Sequence, residues 1–207
     1  MNLLFDLGGV IMDIRKENCI AAFERLGLKD AASYFGEFSQ QGPFMLLERG
    51  DMTVDQFHQA LRQNLPAGVT DAQIDDAFCQ FLIGIPVHRL HSLEQLRRRY
   101  PVYMLSNTNP IMWDSKIRTE FEKDGKHRED YFDGIVTSFE ARSLKPEQKI
   151  FEYAASKLGI EPAETLFLDD SELNLEAAED LGFKTALVAP GMEFPEVLAE
   201  VLPRINS

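Results

Sequence analysis

The chain has 207 residues, 44% of them apolar, and a formal net charge of −13. That length supports one large domain or a core domain with a small accessory one, and the apolar share supplies a sizeable core. So acidic a surface is poorly suited to wrapping a phosphate backbone, which argues against nucleic acid as a partner, whereas a small anionic substrate is still accommodated where a metal ion or a lysine reverses the field inside one cleft.

The opening Leu3-Leu4-Phe5-Asp6-Leu7-Gly8-Gly9-Val10 is a short apolar run that ends on a carboxylate and breaks into two glycines. It reads as a buried parallel strand followed by a sharp turn. Ligands bind at the carboxyl ends of strands in open α/β sheets, so Asp6 stands where chemistry is done. Taken alone, Asp6 reads more readily as a cap for the next turn, and only the other strand ends overturn that reading. After Val10 the pattern turns helical. Ala21, Ala22, Phe23 and Leu26 share a face that Gly27 can end, and Cys19 lies in the same stretch. Phe35 and Phe38, then Phe44, Leu46 and Leu47, fall in short apolar-periodic pieces around Gly42-Pro43. Asp51-Met52-Thr53 reads as a turn and cap before a helix over 54–61, and a further helix carries Ile74, Ala77, Phe78, Phe81 and Leu82. No strand is expected in this block.

From about residue 86 strands and helices alternate. Helices are expected over 87–99, 111–121, 150–158 and 173–181, and strands over 101–106, 134–138, 165–169 and 184–188. Such alternation implies right-handed crossovers and a parallel sheet. The expected fold is a doubly wound, Rossmann-like α/β core made of residues 1–13 and 85–207, with residues 14–84 inserted as a helical cap subdomain. Cys19 and Cys79 sit in helix-like contexts and read as reduced thiols. The N-terminus has no basic segment leading to an apolar stretch and a cleavage site, and no apolar run approaches a membrane span. A cytoplasmic location without membrane contact is expected.

Four strand ends carry related chemistry. The first ends at Asp6, the second at Ser106-Asn107-Thr108-Asn109; Lys145-Pro146 follows the third, and the fourth ends at Asp169-Asp170 with Asn174 shortly after. Each has a plainer reading: Ser106-Asn107 as a turn and cap, Lys145 as an exposed lysine, Asp169-Asp170-Ser171 as capping residues. In one parallel sheet, however, all four ends face one crevice. Three acids in one crevice repel unless a cation binds, and Mg²⁺ held by carboxylates, a backbone carbonyl and waters relieves that repulsion. A metal beside a nucleophilic carboxylate, a hydroxyl and a lysine suits phosphoryl transfer. Asp6 would attack phosphorus, Ser106 would hold phosphoryl oxygens and Lys145 would neutralise charge, making these three the candidate catalytic residues.

With these residues in place, the chain resembles the haloacid dehalogenase-like hydrolase superfamily over almost its whole length. The motifs are Phe5-Asp6-Leu7-Gly8, Met104-Leu105-Ser106-Asn107, Lys145-Pro146, and Phe167-Leu168-Asp169-Asp170 through Asn174. Within it the helical-cap subgroup fits, and Leu47-Glu48-Arg49-Gly50 with Ser106-Asn107-Thr108-Asn109 resembles the α-D-glucose-1-phosphate phosphatase group. The resemblance implies a Mg²⁺-dependent phosphatase of a small phosphorylated metabolite, acting as a monomer or weak homodimer. The implied metal ligands are Asp6, the Gly8 carbonyl, Asp169 and Asp170; Asn107, Asn109, Glu48 and Arg49 are candidate substrate contacts, with Phe44 also near the cleft. A metal-independent dehalogenase on the same fold is the rival, as is a family member that binds a phosphorylated ligand without turnover. A receiver-like signalling module has its acidic pair at the first strand instead of the last.

One departure matters. The family pattern places an Asp two residues after the nucleophile to protonate the leaving group, and this chain has Gly8 there. Loss of a general acid costs ~10²–10⁴ in rate. The proton must come from elsewhere, such as Glu48 or a water, or the substrate must need little protonation, as an anomeric sugar phosphate does.

Overall fold

The computed structural model describes residues 1–36 and 40–205; Phe38 lies outside them. In chain order it runs β1 (Asn2–Phe5), β2 (Asp13–Ile14), α1 (Lys16–Leu26), α2 (Gly42–Arg49), α3 (Val54–Arg62), α4 (Asp71–Cys79), β3 (Leu82–Gly84), α5 (Val87–Arg97), β4 (Val102–Ser106), α6 (Pro110–Met112) and α7 (Arg118–Glu122). It continues through β5 (Gly134–Thr137), α8 (Ser138–Ala141), α9 (Gln148–Leu158), β6 (Thr165–Asp169), α10 (Glu172–Glu179), β7 (Lys184–Leu187) and α11 (Phe194–Ile205). Five strands form one parallel sheet in the order β5-β4-β1-β6-β7.

The chain builds this sheet outward from β1, first to β4 and β5 on one side, then to β6 and β7 on the other. The strand order therefore reverses at β1, which makes its carboxyl end a switch-point crevice. Phe5 lies opposite Met104 and Leu168. Asp6, Ser106 and Asp169 consequently emerge at one edge of the sheet.

Alternation along the strands explains why both faces are covered. Leu3, Phe5, Met104, Leu166 and Leu168 join Leu90, Leu93, Phe194 and Leu198 on one face. Leu4, Leu105 and Phe167 join Ile150, Phe151 and Ala178 on the other. Burial on both sides is what makes these strands read as unbroken apolar runs.

Helices α1 to α4 all lie between β2 and β3, which pair antiparallel in a two-stranded ribbon. Their interior is aromatic. The Phe44 ring centroid lies 4.9 to 5.2 Å from those of Phe23, Phe35, Phe57 and Phe78, edge contacts except for the tilted Phe35 pair, of a kind that adds ~0.5–1.5 kcal/mol each to area burial. Phe44 is thus fully buried among other rings instead of facing the cleft. The apolar cluster continues from Phe5 through Val10, Ile11 and Met12 into Phe23 and Phe78, so the insertion is packed onto the sheet. Thr53 caps α3 and Thr70 caps α4, each in a reciprocal box with the Gln three residues on.

Several boundaries differ from the sequence reading. The helical block does contain strands, the ribbon β2/β3. Helix α4 stops at Cys79, leaving Phe81 and Leu82 outside it, because the Arg15 N–H donates to the Phe81 carbonyl at 2.8 Å and draws that residue into the ribbon. The helix expected over 111–121 is interrupted by a π-helical turn at Trp113–Ile117. The C-terminal α11 is an element the sequence reading does not reach; it sets Phe194 against Phe5, ring centroids 5.2 Å apart. Both cysteines are free. Among the described residues, no helix is long and apolar enough to cross a membrane.

Candidate active site

A cavity of about 940 Å³ lies over the carboxyl ends of β1, β4 and β6. Asp6, Gly8, Asn107, Lys145, Asp170 and Asn174 line it from the sheet; Glu48, Gln40, Arg15, Lys16, Phe35 and Phe81 line it from the insertion and the ribbon.

Asp6 is 7% exposed. The turn behind it is short: Ile11 N and Met12 N both donate to the Leu7 carbonyl, at 2.9 and 2.8 Å. Gly9 is required within that turn. Its φ is +77°, and a Cβ there would fall 2.1 Å from Asp170 Oδ2.

Lys145 is the centre of the charge cluster. Its Nζ lies 2.8 Å from Asp6 Oδ1 and 2.6 Å from Asp169 Oδ2. Asn107 fixes the lysine's backbone at both ends: Lys145 N donates to Asn107 Oδ1 at 2.9 Å, and Asn107 Nδ2 donates to the Lys145 carbonyl at 3.0 Å. Asn107 lines the cavity, but its amide is spent on holding Lys145. Asp169 is fully buried, and its Oδ1 accepts from Ser171 N at 2.8 Å and Asn174 Nδ2 at 3.0 Å.

The electrostatics follow from this crowding. Asp6, Asp169 and Asp170 offer carboxylate oxygens within 4.8 Å of one another. Burial pushes the Asp6 carboxyl upward, Lys145 pulls it down, and Asp169 and Asp170 push it up again; the net direction is up. Asp170 is raised by burial and by Asp169. Burial opposes the Lys145 charge, but Asp169 and Asp6 outweigh it and hold the ammonium above the ordinary lysine value. Oxygen-only donors with excess negative charge are the donor set that suits a hard divalent cation such as Mg²⁺.

The other residues expected at the site divide. Ser106 stands at the end of β4, 2% exposed, its hydroxyl donating to the Asn107 carbonyl at 3.3 Å, and it is not part of the cavity wall. Asn109 is fully buried and caps α6 through Met112 N at 3.0 Å, so it lies behind the wall. Arg49 does not line the cavity; it is ion-paired to Glu147 and lies 4.0 Å from Asp51. Glu48 does reach the cavity, only 8% exposed. Burial raises its pKa to about 8 despite the hydrogen bond from Gln40 and the Asn109 amide beside it.

Some wall residues escape the sequence reading. Gln40 Nε2 donates to Glu48 Oε1 at 2.5 Å. Behind the wall, Ser138 Oγ accepts from Thr108 N at 3.0 Å and donates to the Glu48 carbonyl at 2.7 Å, tying α2 to the end of β4. Arg15 and Lys16 follow β2 directly, a basic pair close after the first glycine turn, and that pair is the signal that marks them.

The comparisons agree with this geometry. Residues 1–182 match the haloacid dehalogenase-like hydrolase model. A D-ribitol-5-phosphate phosphatase from Bacteroides thetaiotaomicron is 33% identical over 201 residues, covering 97% of this chain and 98% of the relative. The crystal structure of a mutant HAD family enzyme from the same organism, in complex with magnesium and inorganic phosphate, superposes with a TM-score of 0.90 at 36% identity, covering 95% of this chain and 98% of that one. A HAD-like family hydrolase from Porphyromonas gingivalis gives 0.89 at 31% identity, with 97% of each chain covered. On the family match and these likenesses along nearly its full length, the chain belongs to the haloacid dehalogenase-like hydrolases.

Proposed function

We propose that the protein is a Mg²⁺-dependent phosphatase that hydrolyses a phosphomonoester of a sugar or sugar alcohol through an aspartyl-phosphate on Asp6. The observation that carries this reading is the cluster of Asp6, Lys145, Asp169 and Asp170 at the sheet's switch point, opening into a single cavity. The 33% identical relative named D-ribitol-5-phosphate phosphatase supports the substrate class. The likeness to a structure holding magnesium and inorganic phosphate supports the cofactor.

Asp6, Asp170 and the backbone carbonyl of Gly8 would hold the ion. Both oxygens of Asp169 are engaged by Lys145, Ser171 and Asn174, so it contributes mainly charge. Mg²⁺ supplies charge neutralisation and keeps two carboxylates ionised at close range. The chain's own residues do the rest. Lys145 orients Asp6 and, together with the ion, would favour its anionic form, and Asp6 Oδ attacks phosphorus. Ser106, set behind the cavity wall at the end of β4, would have to turn its hydroxyl away from the Asn107 carbonyl to reach a phosphoryl oxygen. Asn107 keeps Lys145 in register with Asp6 and Asp169. Helices α1 to α4 act as a cap that reads the rest of the substrate and excludes water. Arg49 has no part in binding. A metal-free dehalogenase gains nothing from Asp170, which would only oppose ionisation of the nucleophile.

Phosphate release from ribitol 5-phosphate, glucose 1-phosphate and glucose 6-phosphate, with Mg²⁺ and with chelator, tests the reading. Release should need Mg²⁺ and fall by ~10⁴ or more in Asp6→Asn. No release from any ester by the folded wild type would overturn it in favour of a ligand-binding protein.

A further inference from the structure

We infer that Glu48 is the acid that hands a proton to the leaving oxygen, carried on α2 across the cavity from the nucleophile. This rests on the phosphatase reading and adds a group that reading lacks. An alkyl phosphate departs as an alkoxide, a poor leaving group unless it is protonated as the P–O bond breaks. Among the described residues, the sheet side of the cavity has no acid free for this. In the proposed reaction Asp6 is the nucleophile, Lys145 is held between two carboxylates, Asp170 would hold the cation, and Gly8 has no side chain. Glu17, Glu172 and Glu176 stand exposed at the rim.

Glu48 is built differently. Helix α2 buries Phe44, Leu47 and Glu48 on one face, so the carboxyl is carried inward by the same stripe that fills the insertion's core. Its backbone is tied to the end of β4 through Ser138. Two residues on, Gly50 has φ +76°, and a Cβ there would lie 2.2 Å from the Phe139 carbonyl oxygen, so α2 ends in direct contact with the core. The carboxyl is thereby fixed relative to the sheet although it belongs to the insertion. The groups against it are amides and a thiol: Gln40, Asn109 and Cys19 of α1. With no cation among them, burial leaves the acid protonated at neutral pH. Gln40 Oε1, also on the cavity wall, is buried without a partner among the described residues and suits a substrate hydroxyl.

The step balances. Asp6 Oδ forms a bond to phosphorus, the bond to the leaving oxygen breaks with its electron pair, and that oxygen takes the Glu48 proton. A water then attacks phosphorus and returns a proton to the Glu48 carboxylate, releasing inorganic phosphate and Asp6.

Gly8 offers the means of testing this. A Cβ there would meet only the Ile14 side chain, at 3.5 Å, and its backbone φ is outside the left-handed region, so a carboxylate can be restored at that position. Rates on ribitol 5-phosphate and on p-nitrophenyl phosphate, whose leaving group departs without a proton, are compared in wild type, Glu48→Gln and the double variant Gly8→Asp/Glu48→Gln. Glu48→Gln should lose ~10²–10⁴ in kcat on the alkyl ester and far less on the aryl ester. Gly8→Asp should restore at least about tenfold of the alkyl activity, within the range of one positioned acid. Equal losses on both esters, or no loss on the alkyl ester, overturn the assignment. A leaving-group series on the wild type gives a second reading that needs no variant: a steep dependence of rate on leaving-group basicity also overturns it. Wild type silent on both esters overturns the phosphatase reading itself, an outcome distinct from equal losses.

Discussion

Asp6 lies 7% exposed beyond the end of β1, Glu48 lies 8% exposed near the end of α2, and both line one cavity. Desolvation acts on the two carboxyls alike. What differs is the partner. Asp6 has the Lys145 ammonium at 2.8 Å; Glu48 has the Gln40 amide at 2.5 Å. An amide hydrogen bond offsets part of the cost of a buried charge; the ammonium offsets more, but Asp169 and Asp170 push the Asp6 carboxyl back up, so that a bound cation would be needed to complete its ionisation. Two acids of equal burial are thus suited to opposite tasks, attack and proton donation, because Asp6 stands beside an ammonium and in a candidate cation site whereas Glu48 has only amides and a thiol against it.

Removing the ammonium tests this contrast most severely. Lys145→Met leaves Asp6 and Asp169 uncompensated, and without Mg²⁺ at pH 7 it should cost ~3–5 kcal/mol in urea unfolding. The loss should grow as pH rises through the raised Asp6 pKa, where the carboxylate lacks the ammonium that favours it; a loss independent of pH would break the comparison. The next effect is on Glu48 itself. Its folded pKa of about 8 lies above the ordinary 4.5. Between those values the unfolded chain releases the proton and the folded chain keeps it, so stability declines as pH rises. In Glu48→Gln that part of the decline, ~2–4 kcal/mol between pH 5 and pH 8, should vanish; unfolding curves at the two pH values measure it, and an unaltered slope would show that Glu48 is ionised in the fold. The smallest effect concerns Arg49, about a third exposed in its pair with Glu147. Arg49→Ala should cost ~0–1 kcal/mol and leave KM within about twofold of wild type, a change too small for a lost charged contact. A tenfold rise in KM would place the guanidinium on the substrate after all.

The parallel sheet was legible because its strands are buried on both faces and end on polar residues at regular intervals. Asp6, Lys145 and Asp170 could be read together for that reason: register alone brings strand ends to one edge. The ribbon was not legible. Two-residue β2 and three-residue β3 have no room to alternate, and Phe78 and Phe81 keep a helical spacing across the end of α4. Helix α11 was missed because Pro195 and Pro203 look like breakers, although Pro195 falls in the first turn, where a missing N–H costs nothing. Phe44, Glu48 and Arg49 were grouped as facing the cleft, yet Arg49 follows Glu48 by one position, 100° around the helix, and Phe44, a turn earlier on the Glu48 face, meets the ring cluster instead. Arg49 is turned out to Glu147, Phe44 into the ring cluster, and Glu48 alone to the cavity. Glu48 did carry a signal, a carboxylate completing the apolar stripe Phe44-Leu47.

The ribbon of β2 and β3 has a bearing on how such a molecule can vary. Paired strands lie about 5 Å apart, so the insertion departs and returns through a stem no wider than a hairpin. Helices of other lengths and sequences can be grafted on that stem without altering the register of β1 against β4 and β6. Recognition thereby becomes a cassette, exchangeable while the nucleophile's surroundings stay constant. A proton donor carried on the cassette travels with the substrate preference it serves.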